Sequence, residues 1–384
     1  MLRVLTLSTL YPDASRPNFG PFVALQTQAL AAHPDVALRV VAPVGIPPLG
    51  SLHPHYRALA NRPEVERWHE VLVYRPRFMH VPAIGGRYDV AALTRALMPI
   101  LRRIHHEFPF DVVDAEFFWP DGPAAIALGK AIGVPVSIKA RGADIHFWGK
   151  NRATARQVIM AGQSADAMLA VSAALKADMV ALGMPADRIT VHYTGVDRAR
   201  FHVRDRASTK AAHGISGPLL VSVGALIDRK GHAIVIDALK SVPGATLVII
   251  GEGPNRAALA ANADPERIRF LGSQPHDVIA DWLAAADAMV LMSASEGFAN
   301  AWVEALASGT PIVIADVGGA RELLDRPEAG MLAPRDATAV ATAIGQVLTR
   351  DADRHAVAAT VDRFSWEANT AALYQHLKAV AARR

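Results

Sequence analysis

The sequence predicts an α/β fold of two Rossmann-like βαβ domains, and three observations lead there. Short β-branched runs alternate with Ala/Leu-rich helical stretches along the whole chain, the pattern of parallel strands joined by covering helices. The strands read as near-continuous apolar runs, as strands buried on both faces do. At 384 residues, 51% of them hydrophobic, the chain is long enough for two separate cores.

The first series runs RVLTLS then PFVALQTQALAAH; LRVVAP; DVVDAE then GPAAIALGKAIG; PVSIKA; AMLAVS then AALKADMVALG; ITVHYT. A second series starts at Leu219 with LLVSVG and a helix over 232–239. It continues ATLVIIG then NRAALAANA; IRFLG; AMVLMS then AWVEALASG; PIVIAD and a helix from near Arg321. Between the series, Gly195 to Gly217 is rich in Arg, Asp and Ser and lacks apolar periodicity. The reading is therefore a first domain over 1–197, a linker over 198–217 and a second domain over 218–364. Residues 365–384 form a helical pattern after a break, with Ser365 suited to the N-cap and Trp366 near the start.

Composition narrows the chemistry. The absence of cysteine excludes disulfides, a thiolate nucleophile and cysteine metal sites, and suits a reducing, cytoplasmic setting. The opening MLRVLTLSTLYPD reads as a first strand, because its apolar run ends at Pro12 and Asp13. No apolar run approaches the ~18 residues of a membrane helix, so a soluble or peripheral protein is expected. The formal charge of +4 is concentrated between Gly50 and Phe110, where nine Arg face five acids beside six His, Trp68, Tyr74 and Phe78. That mixture suits an anionic lipid surface at the inner face of the cytoplasmic membrane; a solvated helix face and loop is the plainer account. No nucleic-acid partner is expected.

Ligands of open α/β sheets bind at the carboxyl ends of strands, which directs attention to the loops after each strand. In VSVGALIDRKGH, Gly224 ends a strand and Arg229 and Lys230 precede a helix. Two cations at a helix N-terminus suit a diphosphate, although an ordinary basic loop has the same composition. In the following stretch, Glu296 precedes a helix and Glu304 lies inside it, in otherwise apolar surroundings where an unpaired charge is costly. The loop Gly297, Phe298, Ala299, Asn300 offers backbone amides at that helix start. Gly251, Glu252 and Gly253 follow another strand, but the G-x-G-x-x-G spacing is not met, and no P-loop, HExxH or GxSxG occurs. In the first half, Gly20 precedes a helix starting near Phe22 and permits close backbone approach. The stretch SIKARGADIHFWGK gathers Arg141, Asp144, His146 and Lys150; a polar loop with Asp144 as a helix cap is its plainer account.

EGFANAWVE followed by ALASGTPIVIADVGGARELL resembles the E-x7-E signature of the retaining glycosyltransferases of family four. RKG, GEGP, FLGSQPH and YTGVD fall in that family's usual order. The opening RPNFGPFVALQTQAL and the stretch WPDGPAAIALGKAIGVPVSIKARGADI are similar to a subgroup that builds cell-surface polysaccharides, including teichuronic-acid-type enzymes. The resemblance implies GT-B architecture, two domains facing across a cleft, with the last helix crossing back onto the first domain. It implies that Arg229 and Lys230 bind the donor diphosphate, that Glu304 takes the ribose hydroxyls and that Glu296 binds the transferred sugar. Amides from Phe298 to Asn300 would contact sugar and phosphate, while Gly224, Glu252, Gly272, Ser273 and Pro275 complete the donor side and Gly20 approaches the diphosphate from the other domain. Arg141, Asp144 and His146 would lie on the acceptor side. Arg141-Gly142 stands where many relatives have His-Gly, Thr194 where many have Asn, and Ala299 where Pro or Gly is usual. The implied reaction is transfer of a sugar, with retention, from a nucleoside diphosphate, UDP before GDP, to a hydroxyl of a glycan or lipid-linked acceptor, with no metal or cofactor. An epimerase or phosphorylase on the same architecture, and a catalytically silent nucleotide-sugar-binding subunit, remain the alternatives.

Overall fold

Among the described residues, every pairing between named strands save one is parallel, as βα repetition requires. The computed structural model describes residues 1–81, 85–350 and 352–383. They form two units, Met1–Tyr193 with Trp366–Arg384, and Thr194–Ser365.

The first unit runs β1 (Leu2–Leu7), α1 (Pro21–Ala31), β2 (Val36–Val41), β3 (Val44–Ile46), α2 (Pro54–Ala60), β4 (Val65–Trp68), β5 (Val71–Tyr74) and β6 (Arg77–Met79). It continues α3 (Asp89–Glu107), β7 (Val112–Ala115), α4 (Asp121–Ile132), β8 (Val136–Ala140), α5 (Ala155–Ser164), β9 (Ala167–Ala170), α6 (Ala173–Ala181) and β10 (Ile189–Val191). Its main sheet has the order β10-β9-β8-β7-β1-β2-β5-β4, and β3 pairs with β6 in a small separate sheet. β7, β8 and β9 are buried at every position, with Asp114, Ser137 and Lys139 buried among their apolar residues.

The second unit runs α7 (Arg206–Ala212), β11 (Leu219–Val223), α8 (His232–Leu239), β12 (Thr246–Ile250), α9 (Arg256–Ala261), β13 (Ile268–Gly272) and α10 (His276–Ala285). Then come β14 (Ala288–Leu291), α11 (Asn300–Ala307), β15 (Ile312–Ile314), α12 (Ala320–Leu323), β16 (Gly330–Leu332), α13 (Ala337–Leu348) and α14 (Arg354–Ala359). The sheet order is β13-β12-β11-β14-β15-β16. Its core packs Leu220, Leu247, Ile249, Val290 and Val313 against Val235, Ile236 and Leu239 of α8 and Val340 and Ile344 of α13.

The final helix, α15 (Trp366–Ala381), belongs to the first unit; Arg384 lies outside the described residues. Leu373, Tyr374, Leu377 and Val380 recur at helical spacing and pack with Val4 of β1, Val112 of β7 and Leu169 of β9. No helix among the described residues is long and apolar enough to cross a membrane.

The expected linker needs correction. Residues 198–217 fold as part of the second unit: Phe201 and Ile215 are buried, and α7 packs on α10. Arg206 and Lys210 both reach Asp287, at 3.0 and 2.8 Å. Those partners lie far along the chain, so local polarity alone reads as a linker.

Candidate functional site

In the second sheet the chain builds outward from β11 to β12 and β13, then returns to β14 on the other side of β11. The loops after β11 and β14 therefore flank a topological switch point, where an open α/β sheet presents its crevice. The two loops are laced together. The Ala294 amide donates to the Arg229 carbonyl at 2.7 Å, and Arg229 Nη1 donates to the Ser295 carbonyl at 2.5 Å. Gly231, with φ +70°, lies directly against the Met292 carbonyl, where a methyl group would collide. A glycine is required there for both reasons.

This lacing brings Arg229, Lys230 and Glu296 together. Lys230 Nζ lies 2.5 Å from Glu296 Oε1, and Arg229 Nη1 lies 3.6 Å from Glu296 Oε2. Two cations share one carboxylate, which leaves net positive charge for an anionic ligand. The backbone of Glu296 is braced from the other side by the turn after β15: Gly318, φ +52°, packs on the Glu296 and Gly297 carbonyls, and the Gly319 amide donates to Gly297 at 3.0 Å. The sequence reading gave these glycines no role, although a Gly-Gly pair in the turn between a strand and a helix was their signal.

Glu304 sits four residues into α11 from Asn300, on the same helix face. It is half-buried, and this burial pushes its carboxyl up to about 7, against the opposing pull of Arg200. Phe298 and Ala299 turn inward, 7% and 8% exposed. No side chain caps α11, so its first amides remain suited to an external acceptor.

The remaining residues expected on the donor side occupy the adjoining strand ends. The Gly224 amide bonds the Ile250 carbonyl and the Gly251 amide bonds the Gly272 carbonyl, at 3.0 and 2.8 Å. A methyl on Gly224 would touch the Lys230 methylenes at 3.5 Å. Glu252 lies over Gly272, whose φ is +72°. Ser273 and Pro275 are exposed beyond β13, two strands from β11.

The first-unit candidates are less open. Gly20 begins α1 at φ +66° and packs on the Leu10 carbonyl, so the fold itself demands glycine. Asp144 is fully buried and accepts from the amides of Phe118, Arg141, Gly142 and Ile145. Its place among acceptor-contacting residues is corrected to that of a loop cap. Arg141 pairs with Glu116 and lies 4.7 Å over the Phe22 ring; His146 pairs with Asp178 at 2.8 Å. Beneath Arg141 lies a buried polar network that local sequence reading did not reveal. Lys139 bonds Gln26 and lies 2.7 Å from His192 Nδ1, and Gln26 donates to Glu116. Burial would raise Glu116, yet Arg141 and Lys139 hold it low, while burial and Glu116 push Asp114 well up.

Known proteins bear on this geometry. Residues 217–350 match the family model described as "Glycosyl transferases group 1", and residues 52–200 match "Glycosyltransferase Family 4". A glycogen synthase of Mycobacterium tuberculosis is 30% identical over 371 residues, covering 90% of this chain and 86% of that protein. The chain belongs to the family-four glycosyltransferases. The transferase is also 28% identical over 357 residues to TuaC of Bacillus subtilis, named for teichuronic acid biosynthesis, with 89% and 88% of the two chains covered. Its fold matches a sucrose-phosphate synthase from Thermosynechococcus elongatus at TM-score 0.82 and 18% identity over both whole chains. HepE of Anabaena, solved in complex with UDP, matches at TM-score 0.72 and 19% identity, with 99% of this chain and 100% of that one covered. These structures share the GT-B architecture of the transferase.

Proposed function

We propose that this glycosyltransferase moves a sugar from a nucleoside diphosphate, UDP-linked by preference, to a hydroxyl of a glycan or lipid-linked acceptor, with retention of configuration. The observation that carries the reading is the joint hold of Arg229 and Lys230 on Glu296 at the switch point. When the C1–O bond to the diphosphate breaks, negative charge grows on the leaving oxygens, and two fixed cations stabilise it. The acceptor oxygen bonds C1 on the face the diphosphate leaves, and its proton passes to a leaving phosphate oxygen. Glu296, held by two cations, is a poor nucleophile and serves the transferred sugar's hydroxyls. Glu304 accepts from the ribose hydroxyls. That HepE was solved with UDP-glucose supports the choice of base.

A lipid-linked acceptor at the inner face of the cytoplasmic membrane is favoured by the arginine-rich window, which also exposes Leu52, Met79 and Tyr88. The test is thermal stabilisation of the full chain by a panel of nucleotides and nucleotide sugars. UDP should raise the melting temperature of the wild type and leave Glu304→Ala unmoved; no response to any nucleotide sinks the reading.

A further inference from the structure

The second unit also holds a buried polar pair to which the transfer reaction gives no task. The chain leaves β11 after Val223 and re-enters a helix at His232, the first residue of α8, so residues 224–231 form one loop that carries both Arg229 and Lys230. Ser222 stands just before the loop departs and His232 where it returns. Their side chains meet, with Ser222 Oγ 3.0 Å from His232 Nδ1. Ser222 is fully buried and His232 is 1% exposed. One hydrogen bond therefore clasps the two ends of the loop together at its base.

Packing alone does not account for this histidine. Burial pushes its pKa down to about 4, with Lys230 adding to the fall and backbone groups of Ala225 and Gly224 opposing it, so the ring is neutral near pH 7. Nδ1 meets Ser222, yet Nε2 is buried without a hydrogen-bond partner among the described residues. An unpaired buried nitrogen is a cost that leucine or phenylalanine would avoid. The site bears that cost where its loop directs Lys230. The Lys230 methylenes lie 3.5–3.7 Å from the place a methyl group on Gly224 would occupy, and the Lys230 amide donates to the Ile227 carbonyl at 3.0 Å. Only Gly231, pressed on the Met292 carbonyl, separates Lys230 from His232.

We infer that His232 is a positioning residue for the donor diphosphate: clasped to Ser222, it closes the base of the loop and so holds the Lys230 stem over Gly224, with Nζ on Glu296 and towards the leaving phosphates. This role rests on the donor reading given above. At 1% exposure the imidazole does not meet a ligand; it acts through the loop.

The experiment titrates the full-length chain with UDP by calorimetry in the wild type, Ser222→Ala, His232→Phe and His232→Gln, each with and without Lys230→Ala. Ser222→Ala, which removes the clasp and leaves the ring, and His232→Phe, which keeps a ring and loses both nitrogens, should each weaken UDP about tenfold. Their melting temperatures without nucleotide should stay within a few degrees of the wild type. His232→Gln, whose amide oxygen can accept from Ser222, should recover most of the loss. In the Lys230→Ala background none of the three should weaken UDP further, because the clasp acts through that lysine. Losses that add to that of Lys230→Ala, or tight UDP binding kept in both Ser222→Ala and His232→Phe, overturn the inference. A nucleotide-free arm reads the Lys230 ammonium by proton–nitrogen NMR, identified by its absence from Lys230→Ala. Its ion pair with Glu296 should slow exchange enough to show the signal in the wild type and His232→Gln, and Ser222→Ala and His232→Phe should lose it. The same signal in all four proteins, or none in the wild type, overturns the inference whether or not UDP binds. A wild type that shows the signal, loses it in both variants and binds no nucleoside diphosphate counts against the donor site and leaves the clasp on Lys230 in place.

Discussion

Lys230 and Arg229 converge on one carboxylate, yet their contributions to the fold and to turnover should separate. Lys230 is at the rim of the sheet and outside the second unit's apolar core, so Lys230→Ala should keep the melting temperature within a few degrees. Turnover should fall by about 10²–10³-fold, the usual cost of losing a donor aimed at developing charge. Near-normal activity would remove Lys230 from the mechanism. Glu304 carries a pH signature. Burial raises its carboxyl to about 7, so below that pH the free protein holds it protonated, and accepting from two ribose hydroxyls requires its ionisation. UDP affinity should therefore rise with pH from 5.5 to 7.5 by up to about tenfold per unit below pH 7. Glu304→Gln should show only the pH dependence of the nucleotide's own phosphate, so identical profiles for the two proteins would refute the role.

At the scale of elements, the docking of α15 depends on buried imidazoles. His376 of α15 lies 2.8 Å from Ser137 of β8, and burial, with Lys139 and Arg383 adding to it, pushes its pKa down to about 4. His192, pushed well below its ordinary value by burial and Lys139, meets the Asn369 carbonyl at 2.9 Å. A folded pKa below the unfolded 6.5 favours the neutral ring, so this stabilisation is complete above 6.5 and is lost as pH falls towards 4. His376→Gln, which can keep the Ser137 bond without titrating, should match the wild type in urea at pH 7 and exceed it by about 2 kcal/mol at pH 5. Equal stabilities at pH 5 would contradict the buried neutral ring. The sequence carried the strand and helix alternation well, because apolar periodicity is local and each βα unit repeats it. It also placed Arg229, Lys230 and Glu296 in loops that the second sheet brings together at one rim, and Glu304 inside the helix that follows. It could not disclose the network of Gln26, Glu116, Lys139 and His192, whose members come from separate elements and look solvent-bound one by one. For the same reason His80 and Asp89, whose side chains pair at 2.9 Å, passed as part of a charged window, since only the β3–β6 ladder and the start of α3 make them neighbours.

For the whole molecule, the two units differ in how the chain builds them. The second is one continuous stretch, closed by its own bridge between Val196 and Ser365, and has a separate core. Residues 194–365 alone should fold cooperatively and retain UDP binding, as urea denaturation with and without UDP would measure. Residues 1–193 alone lack α15 and would uncover the surface that Leu373, Tyr374, Leu377 and Val380 bury. At ~1.5–3 kcal/mol for each large apolar side chain, that loss is comparable to the whole stability of a domain. This fragment should be aggregation-prone and bind hydrophobic dye, and adding the 366–384 peptide in trans should reduce both. A cooperatively folded 1–193 would overturn the assignment. The same discontinuity sets an order of events on the ribosome. The first sheet emerges early but waits for about 170 further residues, some 10–30 s at bacterial-range elongation rates, before its last helix is synthesised. The second unit is thus complete first, and throughout that interval the exposed flank of the nascent sheet is a natural client for a chaperone.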